Sequence, residues 1–493
     1  LPFVVVIGDR PLRVAEVVAV ARHREPVAVD PSVATRMRAT RGVVEAAVAS
    51  GRTVYGVTTG FGALAGTRIP PEQAERVQHA LLQSHAAGVG PFVEPEVVRA
   101  MQVLRARTLA TGHPGVRPEL VEAIVALLNA GITPAVPEWG SLGASGDLAP
   151  LAHAGIVLTG QGWVLDEAGR AVPAAPALAA AGIEPVRPAA KEGLALLNGT
   201  EGMLAHLCLA LADLEVLLPA ADLACAMSVE ALRGTDAAYA EPVVALRPHP
   251  GALDTAANLR ALLAGSPIVA SHRHSDHRVQ DAYSLRCAPQ VHGAARDVVA
   301  FARRTVETEL AAVTDNPVVL AADGSIRSTG NFHGQPLAYA ADFLAIALAD
   351  LAAIAERRID RLMDPSRSEG LPPFLAREAG VNSGFMLAHY TAAALVNRAR
   401  GLAAPQSIDS IPTSSGQEDH VSMGWNACRA LRQAVDAAFG VIAIETVCAA
   451  EAIELRGLPP APATGAAVRA LREVVGRMDA DRFLAPDLAA ATD

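Results

Sequence analysis

Aromatic side chains are scarce. Only 4% of the 493 residues are Phe, Trp or Tyr, although 51% are hydrophobic. Ala, Leu and Val dominate instead, which favours a large helical protein whose helices approach closely. Cysteine is sparse too. Cys208, Cys225, Cys287, Cys428 and Cys448 are widely spaced, with no Cys-x-x-Cys pair. That argues against a disulfide framework and for a reducing cytoplasm. Positive charge is in deficit, with a formal net charge of −10. This argues against non-specific nucleic-acid binding and suits a soluble chain. Clean apolar runs of spanning length are missing. Met203–Met227 is broken by His206, Asp213, Glu215 and Asp222, and Phe343–Ile354 is short and holds Asp350. Neither reads as a membrane span. The stretch Pro2–Ile7 lacks a basic flank and meets Asp9-Arg10, so it reads as a strand and not as a signal peptide.

The length exceeds one simple core. Residues 3–7 and 11–13 are expected to form a small hairpin, with helices over 14–22 and 31–50. Tyr55–Gly62 has three glycines and reads as a mobile or closely packed loop; it lacks the Lys-Ser/Thr of a phosphate loop. Helices are expected at Pro71–Ala87, Pro95–Ala110 and Pro118–Ala130, the last two with Pro at the start and Gly at the stop. Gly162–Val172 is expected to be a hairpin turning near Asp166–Gly169, and Ala174–Gly182 a short helix. From about residue 190 the pattern becomes long and helical. Met203–Leu218, Val291–Ala312, Pro336–Met363, Ser383–Arg400 and Ser422–Leu455 carry the period of a helix bundle. The fold class is therefore mainly α, with an N-terminal mixed region at 1–200 and a long-helix bundle at 201–493.

The most distinctive stretch runs from Gly140 to His153. Its centre is Ala144-Ser145-Gly146, between Gly143 and Asp147. Gly143 and Gly146 allow a tight turn. In such a turn the Gly146 nitrogen can reach the Ala144 carbonyl carbon. Ring closure with loss of water, then loss of water from Ser145, would give a methylidene-imidazolone, an electrophile made from the chain itself. Asp147 is expected to cap a helix starting at Leu148, with Pro150 tolerated in its first turn. The helix dipole would then favour developing negative charge at the ring. The plainer alternative is a Gly/Ser turn before a helix.

The whole block resembles the core signature of the histidine and aromatic amino acid ammonia-lyase family. Matching blocks run from about Tyr55 to Pro486. The resemblance implies a ring-bearing N-terminal domain, no external cofactor, no catalytic metal, a small-molecule amino acid substrate and a homotetramer whose sites are each shared by three subunits. It also implies that the large insertion of plant members near the C-terminus is absent. Tyr55 matches the family's catalytic tyrosine, which by resemblance removes the β-proton; Tyr283 and Glu418 are rival bases. Asn198, in Asn198-Gly199-Thr200, suits a ring carbonyl or a substrate amine. In the block from Val279 to Gln290, Gln280 can hydrogen-bond and Arg286 suits a substrate carboxylate. Phe332, near Asp315-Asn316-Pro317, matches the position placed against the ring and substrate. Alone, Asn198 would be a turn residue, Phe332 core and Arg286 a surface ion pair.

Two positions bear on the substrate. Ser84-His85 matches members acting on histidine, where tyrosine-specific relatives carry His-Leu and phenylalanine-specific ones Phe-Leu. Glu418 also matches histidine-specific members, where aromatic lyases carry Gln. His85 and Glu418 give a pocket a polar end, which an imidazole can pair with and a phenyl ring cannot. One departure is Ala404-Pro405-Gln406-Ser407, where several histidine lyases have His before Ser. The expected reaction is elimination of ammonia from L-histidine to trans-urocanate. The alternatives are a tyrosine or phenylalanine lyase or 2,3-aminomutase, a helical scaffold without a matured ring, and a zinc enzyme using His272, His274 and His277. The spacing of those histidines is not His-Glu-x-x-His, and a solvated polar loop is the expectation there.

Overall fold

The computed structural model describes residues 4–275 and 277–493. The Phe3 end of the expected first strand and Asp276 of the histidine-rich loop lie outside the described residues. The chain divides into two compact units. The first takes the chain up to Ala212, with Arg303–Ala341 and Gln406–Arg429; the second takes Asp213–Ala302, Asp342–Pro405 and Ala430 onward.

In the first unit β1 (Val5–Ile7) pairs in parallel with β2 (Val27–Val29), Val5 opposite Val27, across α1 (Val14–Arg22). This corrects the expected hairpin over 3–7 and 11–13. Pro11 offers no ladder donor. Glu16 draws the segment into a helix start instead, accepting from the Arg13 backbone N–H at 2.9 Å and from Arg10 Nη1 at 2.7 Å. The helices α2 (Ser32–Ala49), α3 (Ala74–His85), α4 (Pro95–Ala110), α5 (Pro118–Asn129), α6 (Leu148–Val157), α7 (Ala174–Ala180) and α8 (Glu192–Leu197) follow. For α2 to α5 and α7 the bounds lie close to those read from the pattern, and α6 begins at the expected Leu148; Pro71–Gln73 forms a separate 3₁₀ turn before α3. The hairpin at 162–172 is present as β5 (Trp163–Leu165) and β6 (Ala171–Pro173), after the antiparallel pair β3 (Val89–Phe92) and β4 (Pro137–Trp139). Asp166 closes its turn by accepting from the Ala168 and Arg170 amides.

The central helix is α4, buried from Val97 to Ala110. Its arginines solve a problem set by its neighbours, whose last carbonyls have no intrahelical partner. Arg99 donates to Val20 O at the end of α1 and Leu128 O at the end of α5. Arg105 donates to Ala195 O and Asn198 O at the end of α8. Three further helices, α3, α6 and α8, pack on one another. Gly193 makes the α3–α8 contact possible: a Cβ there would lie 2.4 Å from Gln78 O.

The second unit is helical. It holds Met386–Leu402 and long parts of Glu201–Ala231, Ala288–Ala311, Gln335–Met363 and Gly424–Leu455. Glu201–Ala231 runs further than expected, through Pro219; burial of the residues around it offsets the proline's cost of about 3 kcal/mol. Ala349, Ala399 and Ala437, from three helices, meet in one buried cluster. Small side chains let the axes approach, as the composition implied. Glu201–Ala231 and Gln335–Met363 are long and apolar enough to cross a bilayer, yet 67% and 61% of their most apolar windows are buried within the protein. A fully buried fork joins Arg358 to Glu445, with Nη2 to Oε2 at 2.9 Å; Ser228 Oγ adds a donor to Glu445 at 2.7 Å.

Breaking such a pair from one side leaves an uncompensated buried charge. Arg358→Met is expected to lower unfolding stability by about 3–5 kcal/mol, read from the guanidinium midpoint. Arg327→Met, at an exposed ion pair with Asp323, should cost less than about 1 kcal/mol.

Candidate active site

The packing of α3, α6 and α8 brings three helix ends to one place. His85 ends α3, Leu148 begins α6, and Leu197 ends α8. All three line a cavity of about 590 Å³, with Tyr55, Ser145, Asn198, Ser414 and Glu418. Five residues singled out from the sequence (Tyr55, His85, Ser145, Asn198 and Glu418) are therefore brought together.

The turn before α6 is tightly held. Ser145 and Gly146 both have left-handed backbones, with φ of 52° and 81°. A Cβ on Gly146 would lie 2.0 Å from Gly199 O, so only glycine fits. The next amide, Asp147 N, donates to that same Gly199 O at 2.7 Å. The Asp147 carboxylate does not cap α6, which corrects the expectation. It accepts from Met203 N at 2.9 Å and Ser141 Oγ at 3.3 Å, because the start of Glu201–Ala231 presents amides without helical partners. Asp147 is wholly buried, and burial, more than any neighbour, pushes its carboxyl up to about 7. Ala144, Ser145 and Gly146 fit ring closure: the backbone is already folded into a tight turn, and the Ser145 hydroxyl faces the cavity.

Polar groups gather at one end. Ser145 Oγ donates to Glu418 Oε1 at 3.2 Å, and Thr413 Oγ1 donates to Glu418 Oε2 at 2.9 Å. Ser84 Oγ lies 3.0 Å from His85 Nδ1 and also donates to Leu81 O at 3.1 Å. A hydroxyl has one proton, so Nδ1 is the donor in that contact and Nε2 is left as an acceptor. Burial lowers the His85 pKa and keeps the ring neutral. Also on the lining, Asn198 Nδ2 donates to Asn316 O at 2.8 Å, while Oδ1 is buried without a partner among the described residues. Gly62 N donates to Tyr55 Oη at 3.1 Å.

Residues that gave no signal in the sequence support this arrangement. Gln78 accepts from Leu194 N at 3.0 Å and donates to Gly56 O at 3.3 Å, tying α8 and the Tyr55 loop to α3. Lys191 Nζ meets Asp315 Oδ2 at 2.5 Å, both fully buried. Arg105 joins the Asn198 carbonyl to the Glu201 carboxylate. In one sequence a Gln on an amphipathic helix looks like surface, and an Arg looks like a solvated charge.

The remaining candidates sit elsewhere. Phe332 belongs to the first unit, is half-buried, and is not among the cavity-lining residues. Gln280, Tyr283 and Arg286 belong to the second unit. There Gln280 is exposed, Tyr283 is 71% exposed, and the Arg286 guanidinium lies 4.6 Å from the Tyr283 ring centroid. Arg286 Nε donates to Asp281 O at 2.9 Å. In the histidine-rich loop His274 and His277 are exposed, but His272 is buried, its Nε2 2.9 Å from Gly234 O. That corrects the fully solvated expectation for His272. Among the described residues no three His, Cys, Asp or Glu side chains are grouped to hold a metal.

Residues 12–473 match the aromatic amino acid lyase family. The chain belongs to that family. It is 55% identical to the histidine ammonia-lyase of Streptomyces avermitilis over 489 residues, 99% of this chain and 95% of that protein. The solved tyrosine aminomutase of Streptomyces globisporus superposes with a TM-score of 0.93 at 37% identity, over 100% of this chain and 96% of that one. The histidine ammonia-lyase of Trypanosoma cruzi does so with a TM-score of 0.91 at 39% identity, over 99% and 92%.

In this lyase the Asp147 carboxyl has a folded pKa of about 7 against an ordinary 3.8. The folded state therefore holds the proton more tightly than the unfolded one, and its contribution to stability is full below the ordinary value and fades as pH rises towards 7. Asp147→Asn should flatten that decline. Thermal midpoints of both proteins between pH 4 and 8 check it; parallel curves would reject it.

Proposed function

We propose that this aromatic amino acid lyase family member eliminates ammonia from L-histidine to give trans-urocanate. The observation that carries the reading is the polar end of the cavity, where His85 and Glu418 stand beside Ser145 of the Ala-Ser-Gly turn. The high identity to histidine ammonia-lyases supports it. A 5-methylidene-imidazol-4-one formed autocatalytically from Ala144, Ser145 and Gly146 supplies an electrophile that turns the substrate amine into a better leaving group.

The chain's own residues do the rest. Glu418 Oε1 accepts the imidazole N–H, which would otherwise be desolvated without compensation, and His85 Nε2, also an acceptor, takes the second N–H of the ring when it is protonated. Asn198 offers Oδ1, a buried acceptor without a partner among the described residues, beside the one N–H of Nδ2 not given to Asn316 O. That favours the substrate amine over a ring carbonyl as its partner. Tyr55 removes the β-proton. Glu418 is the weaker candidate for that task, since Thr413 holds Oε2 and the imidazole occupies Oε1. The remaining rival, Tyr283, lies in the second unit with its ring exposed.

Among the described residues the cavity lining contains no Arg or Lys, yet an amino acid brings a carboxylate that needs a cation. We assign that role to Arg286, with Gln280, Tyr283 and Phe332, delivered from other copies in a homotetramer. The exposure of Gln280 and Tyr283 within their own unit supports this. A phenylalanine lyase or aminomutase fits less well, because a phenyl ring leaves the polar end unpaired; against tyrosine stands the high identity to histidine ammonia-lyases.

Purified protein should raise the ultraviolet absorbance of a conjugated acrylate with L-histidine and not with L-phenylalanine. Its intact mass should fall two waters below the sequence mass. Ser145→Ala should lose both. Glu418→Gln should lower kcat/KM on histidine roughly 10- to 100-fold, the worth of about 1.5–3 kcal/mol for a charged hydrogen bond. Absorbance growth with phenylalanine alone would keep the ring and reject the substrate.

A further inference from the structure

Two hydroxyl groups reach Glu418 from different sides. Ser145 Oγ donates to Oε1 at 3.2 Å, and Thr413 Oγ1 donates to Oε2 at 2.9 Å. They differ in permanence. Maturation of the Ala-Ser-Gly turn removes the Ser145 hydroxyl together with its α-proton as water, which releases Oε1. Thr413 remains. It is tied to Glu418 through the backbone as well: Thr413 N donates to Glu418 O at 3.0 Å, and Glu418 N returns to Thr413 O at 3.3 Å. The turn they close holds Ser414 and Ser415 in left-handed conformations, with φ of 51° and 53°. Such residues persist only where their surroundings over-determine them. Thr is also stiff at χ1, so its hydroxyl has a defined direction. Ser414, Ser415 and Glu418 line the cavity, whereas Thr413 is not among the lining residues.

We infer that Thr413 is a positioning residue for substrate selection. Its hydroxyl holds Oε2 so that Glu418 presents one oriented acceptor, Oε1, to a ring N–H of the substrate. The inference rests on the reading of histidine as substrate. Without that hydroxyl the Glu418 carboxylate turns freely about three side-chain bonds and meets the ring in many orientations. A ring without an N–H gains nothing from the orientation, so the effect is confined to donor-bearing rings.

The test compares wild type, Thr413→Val, which keeps the shape and loses the hydroxyl, and Thr413→Ser, which keeps the hydroxyl. Calorimetry gives Kd for trans-urocanate and trans-cinnamate, beside kcat and KM on L-histidine. Thr413→Val should weaken urocanate roughly tenfold, leave cinnamate within about twofold and raise KM more than it lowers kcat. Thr413→Ser should stay within about threefold of wild type. Equal weakening of both acids by Thr413→Val would mean loop damage and overturn the inference, as would an unchanged urocanate-to-cinnamate ratio. A wild-type chain that binds the two acids alike overturns it too. A wild-type chain that leaves histidine intact sinks the substrate reading separately, and the ratio of the two Kd values still decides the role of Thr413.

Discussion

Gly146 lies against the carbonyl of Gly199 with room for a hydrogen and nothing larger. That contact sets the turn on the junction between α8 and the helix beginning at Glu201. Asp147 reinforces it twice, through its amide to Gly199 O and its carboxyl to Met203 N. Arg105 holds the same junction from the other side, at the Asn198 carbonyl and the Glu201 carboxylate. Ser145 and Asn198, about fifty residues apart in the chain, thus share one anchor. A buried network of this kind is stiff only while every member is satisfied. That condition holds at the backbone contact and not throughout: Arg105 Nη2, Glu201 Oε2 and Asn198 Oδ1 are buried without a partner among the described residues.

The polar end of the cavity, which Ser145 also reaches, works by a different rule. His85 and Glu418 are each oriented by a neighbouring hydroxyl, from Ser84 and Thr413. An acceptor held in one direction rejects a ring that brings no donor far better than an apolar wall rejects one methyl group. The fold itself does not choose the substrate. A tyrosine aminomutase shares it with a TM-score of 0.93. On the proposed reading, selection lives in a few polar atoms carried on a common frame.

That frame was largely legible in the residues. The bounds of α1, α4 and α5 follow from apolar period, initial Pro and terminal Gly, which are local signals. The Ala-rich composition foretold close helix contacts, and Ala349, Ala399 and Ala437 make one. The 3–7 hairpin failed because a parallel β1–β2 pair across α1 depends on packing that no local pattern encodes. Asp147 was read as a cap for the same reason. Its nearest helix start in sequence is Leu148, but Met203 offers its amide in space. Gln78, Arg99 and Arg105 were invisible because a polar residue is judged exposed until the carbonyls it serves are located.

By itself the sequence determined the chemical types: a tripeptide able to cyclise, a tyrosine in a glycine-rich loop, and a histidine and a glutamate that match a histidine-acting pattern. Covalent reactivity and hydrogen-bonding capacity belong to residues and need no coordinates. The tertiary structure decided which atoms face one another. It left Asn198 Oδ1 without a partner among the described residues, set Glu418 between Ser145 and Thr413, and raised the Asp147 carboxyl to about 7 by burial. Those properties arise from distance and desolvation between segments far apart in the chain, and both exist only after folding.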